Sequence, residues 1–301
     1  MKKFYTFFAA LLMAATVMMA ADNSDKYITK KFDCKNFSGI DVGSVVDVTV
    51  LKSSAYKVEV TLPEDLEPYL KVKVNGGDLK ITLENVPSRI TRKMGEKKIE
   101  ATVSMPTLRS LELSGASRFR CEDTFDLGDS RLELEVGGAS RVNKLIVSAR
   151  GLDAEIGGAS YVSLEGDFET AEIEMSGAGK GLFGISADKV VIDLSGASKP
   201  DFRGDFDEIT LDISGASEFN WTGRARKMRL DASGAAKVRA SGCPVDEIRL
   251  EASGAAKCDV DAVKYISIDA SGASNVHYVG HEGLMVDLIS VSRAASVTKS
   301  R

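Results

Sequence analysis

The chain of 301 residues is poor in several things that common functional classes require. It has two histidines, His277 and His281 in "HYVGH", and beyond Glu282 no further ligand stands near them. That leaves a zinc site incomplete and makes surface histidines the expectation. No basic cluster occurs and the formal net charge is −5, which argues against a nucleic-acid partner. Past residue 21 no apolar run is long enough to span a bilayer. The four cysteines, Cys34, Cys121, Cys243 and Cys258, do not share a position in the repeat described below, so buried free thiols are expected rather than a disulfide framework. Long loops are scarce too, which leaves little material for an enzymatic pocket.

The one long apolar run is at the start. "MKKFYTFFAALLMAATVMMA" has two lysines, an apolar stretch and small residues at its exit, the grammar of a signal peptide over 1–21. Export to the periplasm, outer cell surface or extracellular space is therefore expected.

What the chain has in abundance is a repeat. "LDISGASEFNWTG" (211–223) contains the phrase SGAS, and its relatives recur around Gly115, Gly138, Gly158, Gly177, Gly196, Gly215, Gly234, Gly254 and Gly272. The spacings run from 18 to 23 residues and most are 19 or 20, with a worn tenth copy at 293–296. A period this constant marks stacked units. Positions four and two before the glycine are apolar in every copy, as in Leu211 and Ile213, and the residue between them is acidic in all nine. Apolar–acid–apolar is a strand with one buried and one wet face. A second alternation follows the glycine, as in Phe219 and Trp221, and a further glycine such as Gly204 or Gly223 closes it in several copies.

Three short strands separated by tight corners, closing in about 19 residues, describe one coil of a parallel β-helix. No 3.6-residue period points to a helical solenoid, and the leucine and asparagine pattern of leucine-rich repeats is missing. SGAS then reads as a corner: Gly215 for a turn closed to other residues, Ala216 where no larger side chain fits, and Ser214 and Ser217 as small hydroxyl-bearing neighbours. The fold class is all-β: a single-stranded right-handed parallel β-helix (β-solenoid, about 19 residues per coil) over 106–301, with an N-terminal β-rich cap region or first coils over 22–105. Within that region "KVKVNGGDLKITL" (71–83) predicts an antiparallel hairpin turning at Asn75-Gly76-Gly77.

An exported chain carrying "FSGIDVGSVVDVTV" (37–50), "DLKITLEN" (78–85) and serial "LELSGAS"-type phrases resembles the head GIN domain family, bacterial exported β-helical proteins labelled autotransporter adhesins. The likeness covers about 27–274. It implies a β-helix and adhesion, and brings no catalytic residues. No alternating series after Ser274 would build a translocating barrel.

The acidic row is the candidate binding face: Glu112, Glu135, Glu155, Glu174, Asp193, Asp212, Asp231, Glu251 and Asp269, with Glu174 to Asp269 as its central candidates. Carboxylates stacked about 4.8 Å apart repel by roughly 1 kcal/mol per close pair even in water. Basic residues three beyond the glycine, such as Arg118, Arg141, Lys180, Lys199, Lys237 and Lys257, are expected to offset that repulsion. One reading of the row is a solvated face that keeps the chain soluble. Another is a line of divalent cations such as Ca²⁺, although the nonapeptide calcium pattern is absent, or a surface for an extended partner such as a glycan or cell-surface polymer. Phe183, Phe202 and Trp221 share a row whose parity predicts an interior aromatic stack. No cofactor is implied. A non-catalytic adhesin-like binder is the leading function, with a rigid cell-envelope spacer and a polysaccharide-acting enzyme as alternatives. The loop 121–131, with Glu122, Asp123, Asp126 and Asp129, is where catalysis would have to sit.

Overall fold

A computed structural model describes residues 26–92 and 97–300; the expected signal peptide lies outside them. Between its corners each coil is an extended chain that lies in parallel register on the coil before it. Lys180–Leu194, for example, pairs with Tyr161–Met175 on one side, and with Lys199–Arg203 and Phe206–Ile213 on the other. The result is a parallel β-solenoid of about ten turns with the expected spacing.

The coil differs in one respect from three strands parted by tight turns. In Arg141–Ile156, Tyr161–Met175, Lys180–Leu194, Lys237–Ala252 and Lys257–Ala270 the strand runs unbroken from one glycine corner to the next. A straight strand of that length would span about 50 Å, so it has to wrap around the core. The bend comes from a slip in the alternation. Gly181, Phe183, Ile185 and Ala187 face inward, the consecutive pair Asp188 and Lys189 both face out, and Val190, Ile192 and Leu194 face in again. Two successive outward residues turn the chain without breaking the hydrogen-bond ladder. A turn-based reading of sequence misses that device.

The sharp corner that recurs from coil to coil is SGAS, and in two coils the strand also breaks at the second glycine of the sequence pattern, Gly204 and Gly223. Gly215 has φ +69, and a Cβ there would stand 2.5 Å from the Gly196 carbonyl oxygen of the coil below. Ala216 is exposed, against the expectation of a crowded site; the residue for which space is short is Ser217, fully buried. The same position holds Gly179, Ala236 and Ala256 in other coils, so small volume is what it requires. Ser117 and Ser198 use their hydroxyls to donate to the carbonyls of Ser114 and Ser195, at 2.9 and 2.8 Å. The worn tenth phrase is also a corner, with the Ala295 amide donating to the Ser292 carbonyl at 3.1 Å.

A single apolar core runs the length of the solenoid, from Phe37 to Tyr278. Phe183 and Phe202 stack within it, with ring centroids 4.7 Å apart and planes 15° apart, as the row parity predicts. Trp221 is buried in the same row and its Nε1 donates to the Gly204 carbonyl at 3.0 Å. Cys121, Cys243 and Cys258 are buried free thiols and Cys34 is partly exposed; burial pushes the Cys258 thiol up to about 12.

Residues 39–52 already form a coil. Gly39–Val42 and Val46–Lys52 lie parallel beneath Ser110–Leu113 and Arg118–Cys121, and Ser44, at φ +72, takes the corner that glycine holds elsewhere. Below that level the sheet changes character. Leu70–Asn75 and Asp78–Leu83 form the expected antiparallel hairpin, and Tyr27–Phe32 and Lys57–Pro63 add antiparallel strands beneath Ile99–Met105. The short 3-10 helix Glu64–Tyr69 adds the fully buried Leu66 to the core.

Two glycine substitutions separate the roles of the corner and the bend. Gly215→Ala places a methyl against backbone at positive φ and is expected to cost about 1–3 kcal/mol. Gly242→Ala, where a Cβ meets nothing within 4 Å, should be close to neutral. Chemical denaturation followed by far-UV circular dichroism measures both.

Candidate binding face

Register turns the nine acidic positions into one continuous row. Glu112 lies against Glu135, Glu135 against Glu155, and the succession continues through Glu174, Asp193, Asp212, Asp231 and Glu251 to Asp269. Asp41 extends it by one more carboxylate beneath Glu112. The sequence pattern misses Asp41 because its coil has serine in place of the corner glycine.

A second row flanks the first, two residues earlier in each strand. Here Glu133, Asp153 and Glu172 stack in register, followed by Val191, Thr210, Arg229 and Arg249. The face is therefore doubly acidic at its N-terminal half and mixed at its C-terminal half. On the other flank the outward positions are small, Gly137, Gly157, Ser176 and Ser195, so the carboxylates Glu135, Glu155, Glu174 and Asp193 border a shallow open trough. The flanking acids were legible in the sequence, at the same parity five residues before each glycine.

The expected offset by basic residues does not occur. Among the described residues, none of the nine repeat carboxylates is in an ion pair; only Asp41, at the lower end, is paired, with Lys80 at 2.7 Å. The residues three beyond the glycine lie past the corner and find other partners. Arg118 pairs with Asp47 at 3.3 Å, Arg141 lies over the Tyr161 ring, and Lys199 and Lys237 converge on Glu218 at 3.2 and 3.3 Å. The outward direction reverses its surroundings at the corner, so the two rows face different sides of the coil.

Electrostatics record the difference. Partial burial, then the charges of Asp41 and Glu135, raise the Glu112 carboxyl; partial burial, then Asp231 and Asp193, raise that of Asp212. Hydrogen bonds from Arg239, Lys199 and Lys237 instead hold Glu218 down at about 2. Neighbouring carboxylates about 4.8 Å apart fall inside the Debye length of physiological salt, about 8 Å, so their repulsion is only partly screened.

The other candidates do not assemble. His281 Nε2 lies 2.7 Å from Asp261 and His277 Nδ1 lies 3.6 Å from Asp259, two separate pairs. No group of three or more His, Cys, Asp or Glu among the described residues is arranged to hold a metal ion. In the loop 121–131, Asp123 accepts from the Lys52 amide at 2.7 Å, Asp126 accepts from the Gly128 amide at 3.0 Å, and Glu122 faces Lys144 at 3.5 Å. Glu122, Asp123 and Asp126 are each engaged with a different neighbour. Among the described residues no helix is long and apolar enough to cross a membrane.

Comparison with known proteins follows the same lines. The family described as "Putative auto-transporter adhesin, head GIN domain" matches residues 36–199 and again residues 181–281. No protein of curated function matches in sequence. A crystal structure of a "putative adhesin from Parabacteroides distasonis" superposes with a TM-score of 0.54 at 18% identity, covering 92% of this chain and 98% of that one. One from Parabacteroides merdae gives 0.52 at 16% identity, covering 92% and 97%. At such identities these likenesses speak to the fold.

The raised carboxyls predict a sign for the pH dependence. Glu112 and Asp212 hold their protons more tightly folded than unfolded, so their ionisation opposes folding above the raised values, and the penalty fades as pH falls through them. The Glu218 contribution runs the other way, present above the ordinary carboxylate range and lost only as pH falls toward about 2. Acidification from neutral pH down to the ordinary carboxylate range, about pH 4.5, should therefore raise Tm at low salt. The joint variant Asp193→Asn, Asp212→Asn, Asp231→Asn should raise Tm by roughly 3–6 °C at pH 7.5 and flatten the dependence. Differential scanning calorimetry across pH and salt checks both.

Proposed function

This chain belongs to the head GIN domain family of adhesin-type proteins, and on that premise we propose that it is an exported, non-catalytic β-solenoid that holds an extended glycan or similar cell-surface polymer along its acidic face. The observation that carries this reading is the unpaired carboxylate row. Nine successive levels of the solenoid, from Glu112 to Asp269, present the same group to the outside at a constant interval. A polymer is the ligand whose own repeat can use such an array, many weak contacts in series giving the avidity that one contact lacks.

The chemistry of the trough specifies the donors. Carboxylates accept hydrogen bonds and none is occupied by a neighbouring cation, so vicinal sugar hydroxyls or amino-sugar ammonium groups meet ready acceptors. The small Gly and Ser residues beside them leave room for a ring to approach the backbone. Ca²⁺ bridging between carboxylates and polymer is compatible with an all-oxygen face. Against catalysis stand the even spacing of the acids and the separate engagements of Glu122, Asp123 and Asp126.

A glycan and matrix-protein array, run with calcium and with chelator, tests the proposal. Binding should fall at least about tenfold in the joint variant Glu135→Gln, Glu155→Gln, Glu174→Gln while the β-type circular dichroism is unchanged. Binding that needs calcium would add the cation to the account. Absence of binding across the array, or binding indifferent to the variant, would contradict it and favour a rigid spacer.

A further inference from the structure

The two ends of the solenoid are finished differently. At the N-terminal end the parallel ladder gives way to antiparallel strands whose outer members carry lysines, Lys71 and Lys73 in Leu70–Asn75 and Lys30 and Lys31 in Tyr27–Phe32. Charged side chains, above all lysine, discourage an edge from pairing with another chain. Leu66 adds to the core at that end.

The C-terminal end is less protected: its edge strands carry one lysine, Lys299 in Ser296–Ser300, and one acid, Asp287 in Met285–Val291, and the rest of Met285–Val291 is apolar apart from Ser290. Among the described residues, Met285–Val291 pairs only with Lys257–Ala270, and Ser296–Ser300 only with Asn275–Gly280. Val286 and Leu288 stand in register with the buried Ile266 and Ile268, so they form the last layer of the core, yet they are 40% and 53% exposed. Met285 and Ile289 beside them are each 65% exposed. An exposed apolar edge with open main-chain donors and acceptors is a template for pairing.

We propose that this terminal coil is the self-association surface of the protein, through which two copies join tail to tail about a twofold axis. Three observations select a second copy. A twofold axis sets Met285–Val291 antiparallel to its own copy, the arrangement in which one edge strand pairs with itself. The coil is electrically balanced, with Glu282 and Asp287 against Arg293 and Lys299, and the acidic row stops before it because Ser290 stands opposite Asp269. Two copies therefore meet there without the repulsion that separates their sides. The exposed apolar residues of the edge, Met285, Val286, Leu288, Ile289 and Val291, supply the apolar centre that a self-complementary interface buries. The lysine-bearing N-terminal edges disfavour head-to-tail growth, so association closes at two. Both acidic faces would then lie in one long particle, doubling the sites for a polymer.

Sedimentation equilibrium of the purified protein over a concentration series tests the proposal, with hydrogen exchange read at the amides of Met285–Val291. The expected result is a dimer whose dissociation constant rises at least about tenfold in Leu288→Lys and in Ile289→Lys, with faster exchange over that strand. Leu51→Lys, at an exposed leucine near the other end, should leave the dimer intact, and circular dichroism confirms that each variant folds. A protein that stays monomeric throughout overturns the proposal, and so does a dimer indifferent to both lysines. A monomer with slow exchange over Met285–Val291 would assign the edge to another occupant and overturn it too. None of these readouts depends on polymer binding, so this proposal and the proposed function fail separately.

Discussion

In-register hydrogen bonding between successive coils is the constraint on which everything else rests. It persists even through the corner: the amides of Ser214, Ala216 and Glu218 donate to the carbonyls of Leu194, Gly196 and Ser198 at 2.8, 2.7 and 2.9 Å. Because the ladder never loses count there, the side chains around the corner sit above their equivalents one coil earlier. Apolar rows then become a continuous core, and each corner glycine has backbone beneath the Cβ it lacks. The acids, by the same rule, become a row.

That rule has an electrostatic consequence. A repeated coil cannot alternate charge along its axis unless the residue type changes from one coil to the next. On one side of the corner the type does change, and Glu218 between Lys199 and Lys237 forms a local network. On the other side it does not change in nine coils, and the carboxylates keep each other company without a cation. The fold tolerates this because the row faces water and the core beneath it is uninterrupted. At Glu112 and Asp212 burial and the neighbouring carboxylates oppose ionisation, so the stability of the solenoid depends on pH and salt.

Much of this was legible in the sequence, for reasons that follow from the ladder. A period of about 19 residues with glycine at fixed phase specifies stacked coils, and parity alone places Phe183, Phe202 and Trp221 inside. The row of acids is visible at the same level. Four things were not. The bend at Asp188 and Lys189 leaves no turn signature, because two outward residues look like any polar pair. The coil at 39–52 hides behind Ser44, which adopts a backbone conformation usually left to glycine. The partners of the basic row depend on which side of the corner each residue faces, and spacing along the chain does not reveal that for long flexible side chains. The buried serine and exposed alanine of SGAS were likewise beyond pattern, since both are small.

The most direct test of the account is a carboxyl NMR titration of Glu112, Asp212 and Glu218 in the folded protein. Stacking without cations predicts that Glu112 and Asp212 titrate above the ordinary values of their residue types and over a broadened range, while Glu218 titrates near 2. If Asp212 titrated like an isolated aspartate, the row would not act as one charged face, and the proposal that a polymer lies along it would lose its basis.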